Sequence, residues 1–200
     1  MEPYYERRAP EYDEWYLGTG LFAERDRPGW AEELRAVEQQ VSSLPPGRTL
    51  DVACGTGFIT RHLRGRVVAT DASAAMLAES RARHDYPLVR ADAFALPFSD
   101  DSFDRVFTGH FYGHLHPEQR ARFLAESRRI APALVVFDAK IHDDVEPEQI
   151  QGRILNDGSS HHVFKRYFTA SQLANGLAGG RVLFDGRWFV MVESSVDLIP

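Results

Sequence analysis

The strongest constraint on the fold is an alternation of strand-like and helix-like segments between residues 48 and 137. The strand-like runs are residues 49–53, 66–71, 87–91, 103–107 and 133–137. Between several of these runs, apolar residues recur at helical spacing, as around Met76 and Phe123. Such an alternation is typical of a parallel sheet with helices on both faces, so we predict an α/β fold.

The C-terminal part of the chain departs from this alternation. Thr169 is predicted to cap a helix, and two later apolar runs, 181–184 and 188–192, flank the dipeptide Asp185-Gly186. An Asp-Gly pair in this setting favours a tight type I′ turn, in which Gly adopts a positive φ. We therefore predict a terminal hairpin that contributes an antiparallel strand.

Length, charge and hydropathy narrow the class of protein. The chain has 200 residues and a formal net charge of -6, which suits one acidic domain. It has no long Lys/Arg run, which argues against a nucleic acid or an anionic membrane as partner and favours a neutral or cationic ligand. No run approaches the ~18 apolar residues of a membrane span, and the opening residues do not resemble a signal peptide. We expect a cytoplasmic protein.

Residues 51–57 (DVACGTG) place two glycines between the first strand and the following helix. Gly55 and Gly57 allow a close approach of the backbone to a ligand, and a helix start offers unpaired N–H groups. The pattern implies a nucleotide-bearing cofactor, although a simple tight turn has the same composition.

Two acidic residues follow the second and third strands. Asp71 is suited to accept hydrogen bonds from ribose hydroxyls, and Asp92 lies at the sheet edge where ligands of open α/β sheets bind. The alternative for each is a local capping role beside the next helix or turn.

Taken in order, these motifs resemble the class I S-adenosylmethionine-dependent methyltransferases, in particular the small-molecule branch with the ubiquinone and menaquinone C-methyltransferases. The matching stretches are residues 50–57, 69–73 with Met76-Leu77, 91–93 with 96–98, and 102–104. The resemblance covers about residues 48–137. It implies a Rossmann-like, mostly parallel seven-stranded sheet with helices on both faces and an antiparallel C-terminal hairpin strand.

The resemblance also implies S-adenosylmethionine as cofactor. Gly55 and Gly57 are expected near its methionine and ribose parts, Asp71 at the ribose diol, Met76 against the adenine, and Asp92 with the Ala93 amide at the adenine edge. The further residues expected at the cofactor are Asp51, Ala53, Cys54, Thr56, Ala72 and Thr108.

Methyl transfer mainly requires alignment of the acceptor, but oxygen and nitrogen nucleophiles usually also lose a proton. His114 matches a position where some relatives carry a base or substrate ligand, so it is the first candidate for this role, and His110 is the second. The alternative is a structural or solvent-facing histidine. His116 is expected to begin a helix. No spacing resembles a zinc pattern, so no metal is expected.

We predict one methyltransferase domain over residues 1–200. It comprises a helical lid or cap at 1–47, in which Tyr12 closes over the cofactor as in relatives with a similar Tyr-rich opening, a cofactor-binding core at 48–139, a cap loop at 140–168, and a helix with the hairpin at 169–200. A homodimer through the hairpin edge is a further expectation.

The predicted function is methyl transfer from S-adenosylmethionine to an O, N or C nucleophile of a small, partly aromatic acceptor. Three alternatives remain open at this point. The chain could be a cyclase or isomerase that keeps the cofactor intact, a cofactor-binding pseudoenzyme, or an NAD-binding oxidoreductase, which Thr60 and the terminal hairpin disfavour.

Overall fold

The computed structural model describes residues 2–195, with side chains from 4 to 194. Its nine strands are β1 (Gly47–Val52), β2 (Gly65–Asp71), β3 (Leu88–Arg90), β4 (Arg105–Gly109), β5 (Ala133–Ala139), β6 (Glu148–Ile154), β7 (Ser160–Arg166), β8 (Arg181–Asp185) and β9 (Phe189–Ser195). Seven of them form one sheet in the order β3-β2-β1-β4-β5-β9-β8, and β6 pairs with β7 in a separate sheet.

The pairing confirms the predicted seven-stranded, mostly parallel sheet. The five strands from β3 to β5 run parallel, whereas β9 is antiparallel to both β5 and β8. The chain order reverses between β1 and β4, and ligands of open α/β sheets bind at the carboxyl ends of the strands beside such a switch point. Strand β8 lies at the sheet edge, and its pairing with a second copy stays a prediction.

The described residues form six α-helices: α1 (Glu2–Arg8), α2 (Glu14–Leu17), α3 (Trp30–Ser43), α4 (Ala74–Arg81), α5 (Pro117–Ile130) and α6 (Ala170–Gly176). Short 3-10 turns occupy Ala9–Glu11, Gly20–Phe22, Thr60–His62 and Tyr112–His114. The Tyr-rich opening is thus two helices and not one, because Pro10 interrupts it and a 3-10 turn separates α1 from α2. The 3-10 turn Thr60–His62 takes the place of the helix predicted to follow the first strand.

Strand β5 shows how the core forms on both faces of the sheet. Its residues alternate, with Leu134 and Val136 in one buried cluster and Val135 and Phe137 in another. The first cluster includes Phe123 of α5, and the second includes residues of α3. A strand that is buried on both faces reads as an unbroken apolar run, which explains why it was recognisable from sequence.

The predicted helix caps are present. The Thr169 hydroxyl accepts a hydrogen bond from the Gln172 N–H (3.1 Å), and the Gln172 side chain accepts one from the Thr169 N–H (3.0 Å). This reciprocal pair is a capping box at the start of α6. His116 is the N-cap of α5, as expected for the residue before Pro117.

The hairpin between β8 and β9 is confirmed, but the predicted type I′ turn is wrong. Its turn spans residues 186–188, and Gly186 is not among the described residues with positive φ. Glycine is required there for another reason, because a Cβ would lie 2.0 Å from the Glu33 carboxylate. The oxygens of Glu33 accept the N–H groups of Arg187 (2.9 Å), Trp188 (2.8 Å) and Phe189 (2.8 Å). A side chain of α3 therefore shapes this turn.

The region expected to be a cap loop, residues 140–168, contains the antiparallel hairpin of β6 and β7. Its strands are largely polar, so they lack the apolar signal on which strand prediction depends. Within residues 2–195, no helix is long and apolar enough to cross a lipid bilayer.

Candidate functional site

A cavity of about 540 Å³ opens at the carboxyl ends of β1, β2, β3 and β4, and we call it the sheet-edge cavity. Its size is within the usual range for small-molecule sites, about 300–1,000 Å³. It is lined by Tyr5, Tyr12, Val52, Ala53, Gly55, Thr70, Asp71, Ala72, Ser73, Met76, Arg90, Ala91, Asp92, Ala93, Gly109, His110 and Phe111.

The turn after β1 brings backbone, and no bulky side chain, to this cavity. Ala53 and Gly55 both line it and both have a positive φ, 59° and 57°. Gly57 also has a positive φ but points away, since a Cβ on it would lie 2.0 Å from the Tyr86 hydroxyl. Of the two glycines expected at the cofactor, Gly55 borders the cavity and Gly57 is required by packing behind it.

Asp71 links this turn to the end of β2. One of its carboxylate oxygens accepts the Gly55 N–H (2.9 Å), and the other accepts the Ser73 N–H (2.8 Å). Burial raises the pKa of Asp71, and these hydrogen bonds oppose that shift. Because each carboxylate oxygen can accept more than one hydrogen bond, the group remains able to bind a diol in the cavity.

The residues expected on the adenine side also line the cavity. Asp92 follows β3, and its carboxylate accepts the Phe94 N–H (2.9 Å). Met76 is buried and contributes an apolar wall, and Ala72 and Ala93 border the same space.

Four other residues expected at the cofactor lie outside this lining: Asp51, Cys54, Thr56 and Thr108. The Thr108 hydroxyl is fully buried and donates to the Val52 carbonyl (2.8 Å), and the Thr56 hydroxyl donates to Asp13 (2.5 Å). Both hydroxyls are therefore used in structural hydrogen bonds.

Asp51 is a buried carboxylate behind the glycine turn. The Thr60 hydroxyl donates to one of its oxygens (2.6 Å), while the other is buried without a hydrogen-bond partner in the described part of the chain. Burial raises the pKa of Asp51 to about 7, although the Thr60 hydrogen bond lowers it. Asp51 thus contacts Thr60 behind the glycine turn, and it does not line the sheet-edge cavity.

A second cavity, of about 560 Å³, lies beneath the β6–β7 hairpin, and we call it the hairpin cavity. It is lined by Tyr5, Arg8, Tyr12, Trp15, Leu21, Phe22, Arg25, His110, His114, Ala139, Gln149, Ile150, Gln151, Gly152, Arg153, Ile154, Lys165 and Tyr167. Three residues, Tyr5, Tyr12 and His110, line both cavities. The two cavities therefore adjoin across a wall of aromatic side chains.

A buried ion pair holds the hairpin against the sheet. The Lys165 ammonium of β7 donates to the Asp138 carboxylate of β5 (2.5 Å), and both side chains are almost completely buried. The same carboxylate accepts the Gly113 N–H (2.7 Å) and lies 3.7 Å from His110 Nδ1. Burial alone would raise the pKa of Asp138, but Lys165 and His110 hold that pKa well below its usual range.

Both predicted catalytic histidines border the hairpin cavity and are buried. His114 Nδ1 lies 2.7 Å from the Phe164 carbonyl, which only accepts, so Nδ1 carries the proton and Nε2 is the basic nitrogen. Burial lowers the pKa of His114 well below 6.5, and the nearby Lys165 and Arg153 lower it further. The pKa of His110 is also lowered by burial, against the opposing effect of Asp138.

The charge of the hairpin cavity is opposite in sign to the net charge of the chain. Four basic residues, Arg8, Arg25, Arg153 and Lys165, line it, and no acidic residue is in the described lining. An overall charge of -6 therefore conceals a basic cavity.

The N-terminal segment is attached to the core beside the sheet-edge cavity. The Glu6 carboxylate accepts the N–H groups of Ala74 (2.7 Å) and Ala75 (3.0 Å) at the start of α4. Asp13 pairs with Arg83 and accepts the Thr56 hydroxyl. These contacts position Tyr5 and Tyr12 between the two cavities.

Sequence reasoning missed the residues that the cap hairpin and α1 contribute. Gln149, Gln151 and Arg153 occupy every second position of β6 and are half-buried. Their spacing of two residues is typical of a strand, and it was the signal that the sequence offered. Arg8 carried no comparable signal. In the described part of the chain, no group of three or more His, Cys, Asp or Glu residues is arranged to hold a metal ion.

Comparison with known proteins finds similarity to methyltransferases. Residues 50–132 match a family model described as a methyltransferase domain. A demethylmenaquinone methyltransferase of Renibacterium salmoninarum is 38% identical over 100 residues, which are 48% of this chain and 41% of that protein. A 2-phytyl-1,4-naphtoquinone methyltransferase of Synechocystis sp. is 32% identical over 144 residues, 65% of this chain and 57% of that protein. The chain thus spans less than two thirds of these curated relatives.

A solved structure matches over nearly the full length. The complex described as DhpI-SAM-HEP has a TM-score of 0.72 and 27% identity, and the match covers 96% of this chain and 94% of that one.

Fold and sheet-edge cavity define a Rossmann-like protein that binds a nucleotide-bearing cofactor. The family model over residues 50–132, these relatives and this solved structure make the chain similar to the S-adenosylmethionine-dependent methyltransferases. S-adenosylmethionine is the cofactor, and the cavity fits it through its volume, the carboxylates at the ends of successive strands and the apolar surface of Met76.

We expect Asp71→Asn to weaken binding of S-adenosylhomocysteine about 10- to 100-fold, because it removes the charge from a carboxylate that lines the sheet-edge cavity and is predicted to hold the ribose diol. Isothermal titration calorimetry measures the change, and Asp85→Asn, an exposed position outside the cavity, is the matched control. Equal affinity of a folded Asp71→Asn protein and the control would contradict the assignment of Asp71.

Proposed function

We propose that this chain transfers the methyl group of S-adenosylmethionine to a small molecule that binds in the hairpin cavity. The observation that carries the proposal is the wall of Tyr5, Tyr12 and His110 that the two cavities share. A cofactor on one side and an acceptor on the other then meet at these residues. The aromatic side chains also suit the partly aromatic acceptor expected from sequence.

Methyl transfer is favoured over the other functions considered. The relatives described above are named as methyltransferases that act on menaquinone-type or naphtoquinone compounds, and neither name points to a cyclase, an isomerase or an oxidoreductase. A pseudoenzyme would not need a second cavity of about 560 Å³ beside the cofactor. These observations support catalysis on a bound acceptor.

When bound, S-adenosylmethionine supplies a methyl group that its sulfonium already activates. The protein then has to align the acceptor and exclude water, and rigid aromatic walls do both. Burial raises the pKa values of Tyr5 and Tyr12, so both phenols stay protonated at neutral pH. Their role is to shape the junction and offer hydrogen bonds, and proton removal falls to another group.

For acceptors that must lose a proton, we propose His114 as the general base. It lines the hairpin cavity and is neutral at physiological pH because burial lowers its pKa, which leaves Nε2 able to accept a proton. His110 is the second candidate, since it borders both cavities and its Nε2 is buried without a partner in the described chain.

The purified protein is expected to convert S-adenosylmethionine to S-adenosylhomocysteine only when a suitable acceptor is present, since the second cavity has to be filled for transfer. A panel of small aromatic and acidic metabolites, followed by mass spectrometry for the gain of one methyl group, tests this. Tight cofactor binding with no methylated product across the panel would count against catalysis and favour a cofactor-binding role.

His114→Ala is expected to lower kcat about 10²- to 10⁴-fold on a hydroxyl or amine acceptor, with S-adenosylhomocysteine affinity unchanged, because His114 does not line the sheet-edge cavity. In the unmodified protein, the acid limb of kcat/KM should lie below pH 6.5, since protonation inactivates the base and burial lowers its pKa. His162→Ala, an exposed position on β7, is the control. An acid limb at or above pH 6.5 would assign the base elsewhere.

We also propose that residues 2–17 act as a lid over the cofactor. Tyr5 and Tyr12 cover the sheet-edge cavity from this segment, and a Cβ on Gly55 would lie 3.5 Å from the Tyr12 ring. The segment is attached by polar contacts of Glu6 and Asp13 and by the buried rings of Tyr4 and Tyr16, so its opening breaks these contacts but leaves the strand pairing of the sheet intact.

Hydrogen exchange of the amides in residues 4–16 is expected to slow when S-adenosylhomocysteine binds, because the ligand adds contacts beneath Tyr5 and Tyr12. Amides of β5, which lie in the core, should change little and provide the internal reference. Equal exchange of residues 4–16 with and without the ligand would show that the segment is a fixed part of the core.

A further inference from the structure

We propose that the hairpin cavity recognises its acceptor through an oxyanion, a carboxylate or a phosphate-type group, that binds among Arg8, Arg25 and Arg153. The inference rests on the proposed function, because it names the class of acceptor for that site. It concerns recognition only and leaves open which atom is methylated.

Arg8 is the first observation. Its side chain belongs to a residue that is only 3% exposed, and it lines the hairpin cavity. It donates to the Tyr4 hydroxyl (2.5 Å), while its Nε is buried without a hydrogen-bond partner among the described residues. A buried guanidinium is costly unless a charge or several acceptors compensate it. The rings of Tyr4, Tyr12 and Phe22 lie 5.4 to 5.6 Å from the Arg8 guanidinium carbon and compensate its charge in part, but no carboxylate pairs with it in the described chain.

Arg25 and Arg153 approach the same space from other elements. Arg25 follows the turn Gly20–Phe22, and Arg153 lies on β6, where it donates to the Gln151 side chain (2.7 Å). The pKa of Arg25 is lowered by burial and then by the positive charge of Arg153 and, more weakly, of Arg8. Three cations from three separate segments therefore line one cavity.

No carboxylate of the described residues neutralises these charges. In the part of the chain that the structure describes, Arg8, Arg25 and Arg153 form no ion pair. Lys165, the fourth basic residue of the cavity, is already paired with Asp138. Three positive charges are therefore left for a ligand.

Several arginines elsewhere in the molecule are in ion pairs, although the buried Arg105 and Arg120 form none in the described chain. Arg48 pairs with Asp104, Arg83 with Asp13 and Glu79, and Arg129 with Glu126 and Asp100. An acidic chain with a formal charge of -6 has ample carboxylates for such pairs. The hairpin cavity differs in that three arginines without an ion pair line one space whose described lining contains no acidic residue.

The chemistry of guanidinium groups identifies the ligand class. Their planar donor pairs match the oxygens of a carboxylate or phosphate, and such charge-assisted hydrogen bonds are stronger than neutral ones. The aromatic surfaces of Tyr5, Tyr12 and Trp15 complete the cavity and suit an aromatic body attached to the anion. A small aromatic acid fits both features.

The test uses the full chain saturated with S-adenosylhomocysteine, and calorimetry with benzoate, phenyl phosphate and the neutral benzyl alcohol as probes. We expect either anion, or both, to bind and to bind more weakly as salt is raised, and benzyl alcohol to bind at least about tenfold more weakly. Arg25→Gln and Arg153→Gln should each weaken the anion about tenfold or more. Arg64→Gln, an exposed arginine outside both cavities, is the matched control and should have no effect.

Preference for benzoate or for phenyl phosphate distinguishes a carboxylate from a phosphate-type acceptor. The proposal is overturned if neither anion binds, if benzyl alcohol binds as tightly, or if Arg25→Gln and Arg153→Gln behave like the control. Anion binding without any methylated product would retain the oxyanion site and remove the proposed function. Methylation of neutral acceptors at equal rates in all four proteins would retain the function and remove the oxyanion site.

Discussion

The ion pair between Asp138 and Lys165 is the contact on which the hairpin cavity, the proposed acceptor site, depends. It joins the end of β5 to the cap hairpin, and the same carboxylate also fixes the Gly113 N–H and faces His110. Removal of one partner of a buried pair typically costs about 3–5 kcal/mol, because the remaining charge is left without compensation. The hairpin, the histidine turn and the floor of the hairpin cavity are thus coupled through one carboxylate.

The two cavities differ in the charge of the residues that border them. Asp71 and Asp92 border the sheet-edge cavity, and three arginines border the hairpin cavity. The wall between the two regions is aromatic, so the acidic and basic sides do not neutralise each other directly. Such an arrangement would place a positively charged cofactor and the proposed anionic acceptor in adjoining, complementary environments.

The cofactor side could largely be predicted from sequence because its signals are local. Asp71 and Asp92 each follow a recognisable strand, and parallel topology brings the strand ends together. Locality also sets the limit of this reasoning. It could not show that Gly57 packs on Tyr86 or that the Thr108 hydroxyl is used by the Val52 carbonyl, because these contacts depend on side-chain direction in the folded state.

The acceptor side was beyond such reasoning for two physical reasons. The strands of the cap hairpin are polar and pair with each other outside the main sheet. They therefore bury little apolar surface, and the sequence lacks the apolar pattern that would predict them. The basic cluster is assembled from Arg8, Arg25 and Arg153, which are far apart in sequence, and the net charge of the chain has the opposite sign. Only the folded arrangement reveals a local charge of this kind.

The contact between Glu33 and residues 187–189 has a consequence for biosynthesis. The bonded residues are 154 to 156 positions apart in the sequence. Helix α3 therefore leaves the ribosome long before residues 187–189 have been synthesised. Strand β5 likewise has no partner on one side until β9 has been synthesised. During translation the nascent chain therefore presents an apolar, unpaired strand edge, and association with other chains competes with folding until the last strand has been made.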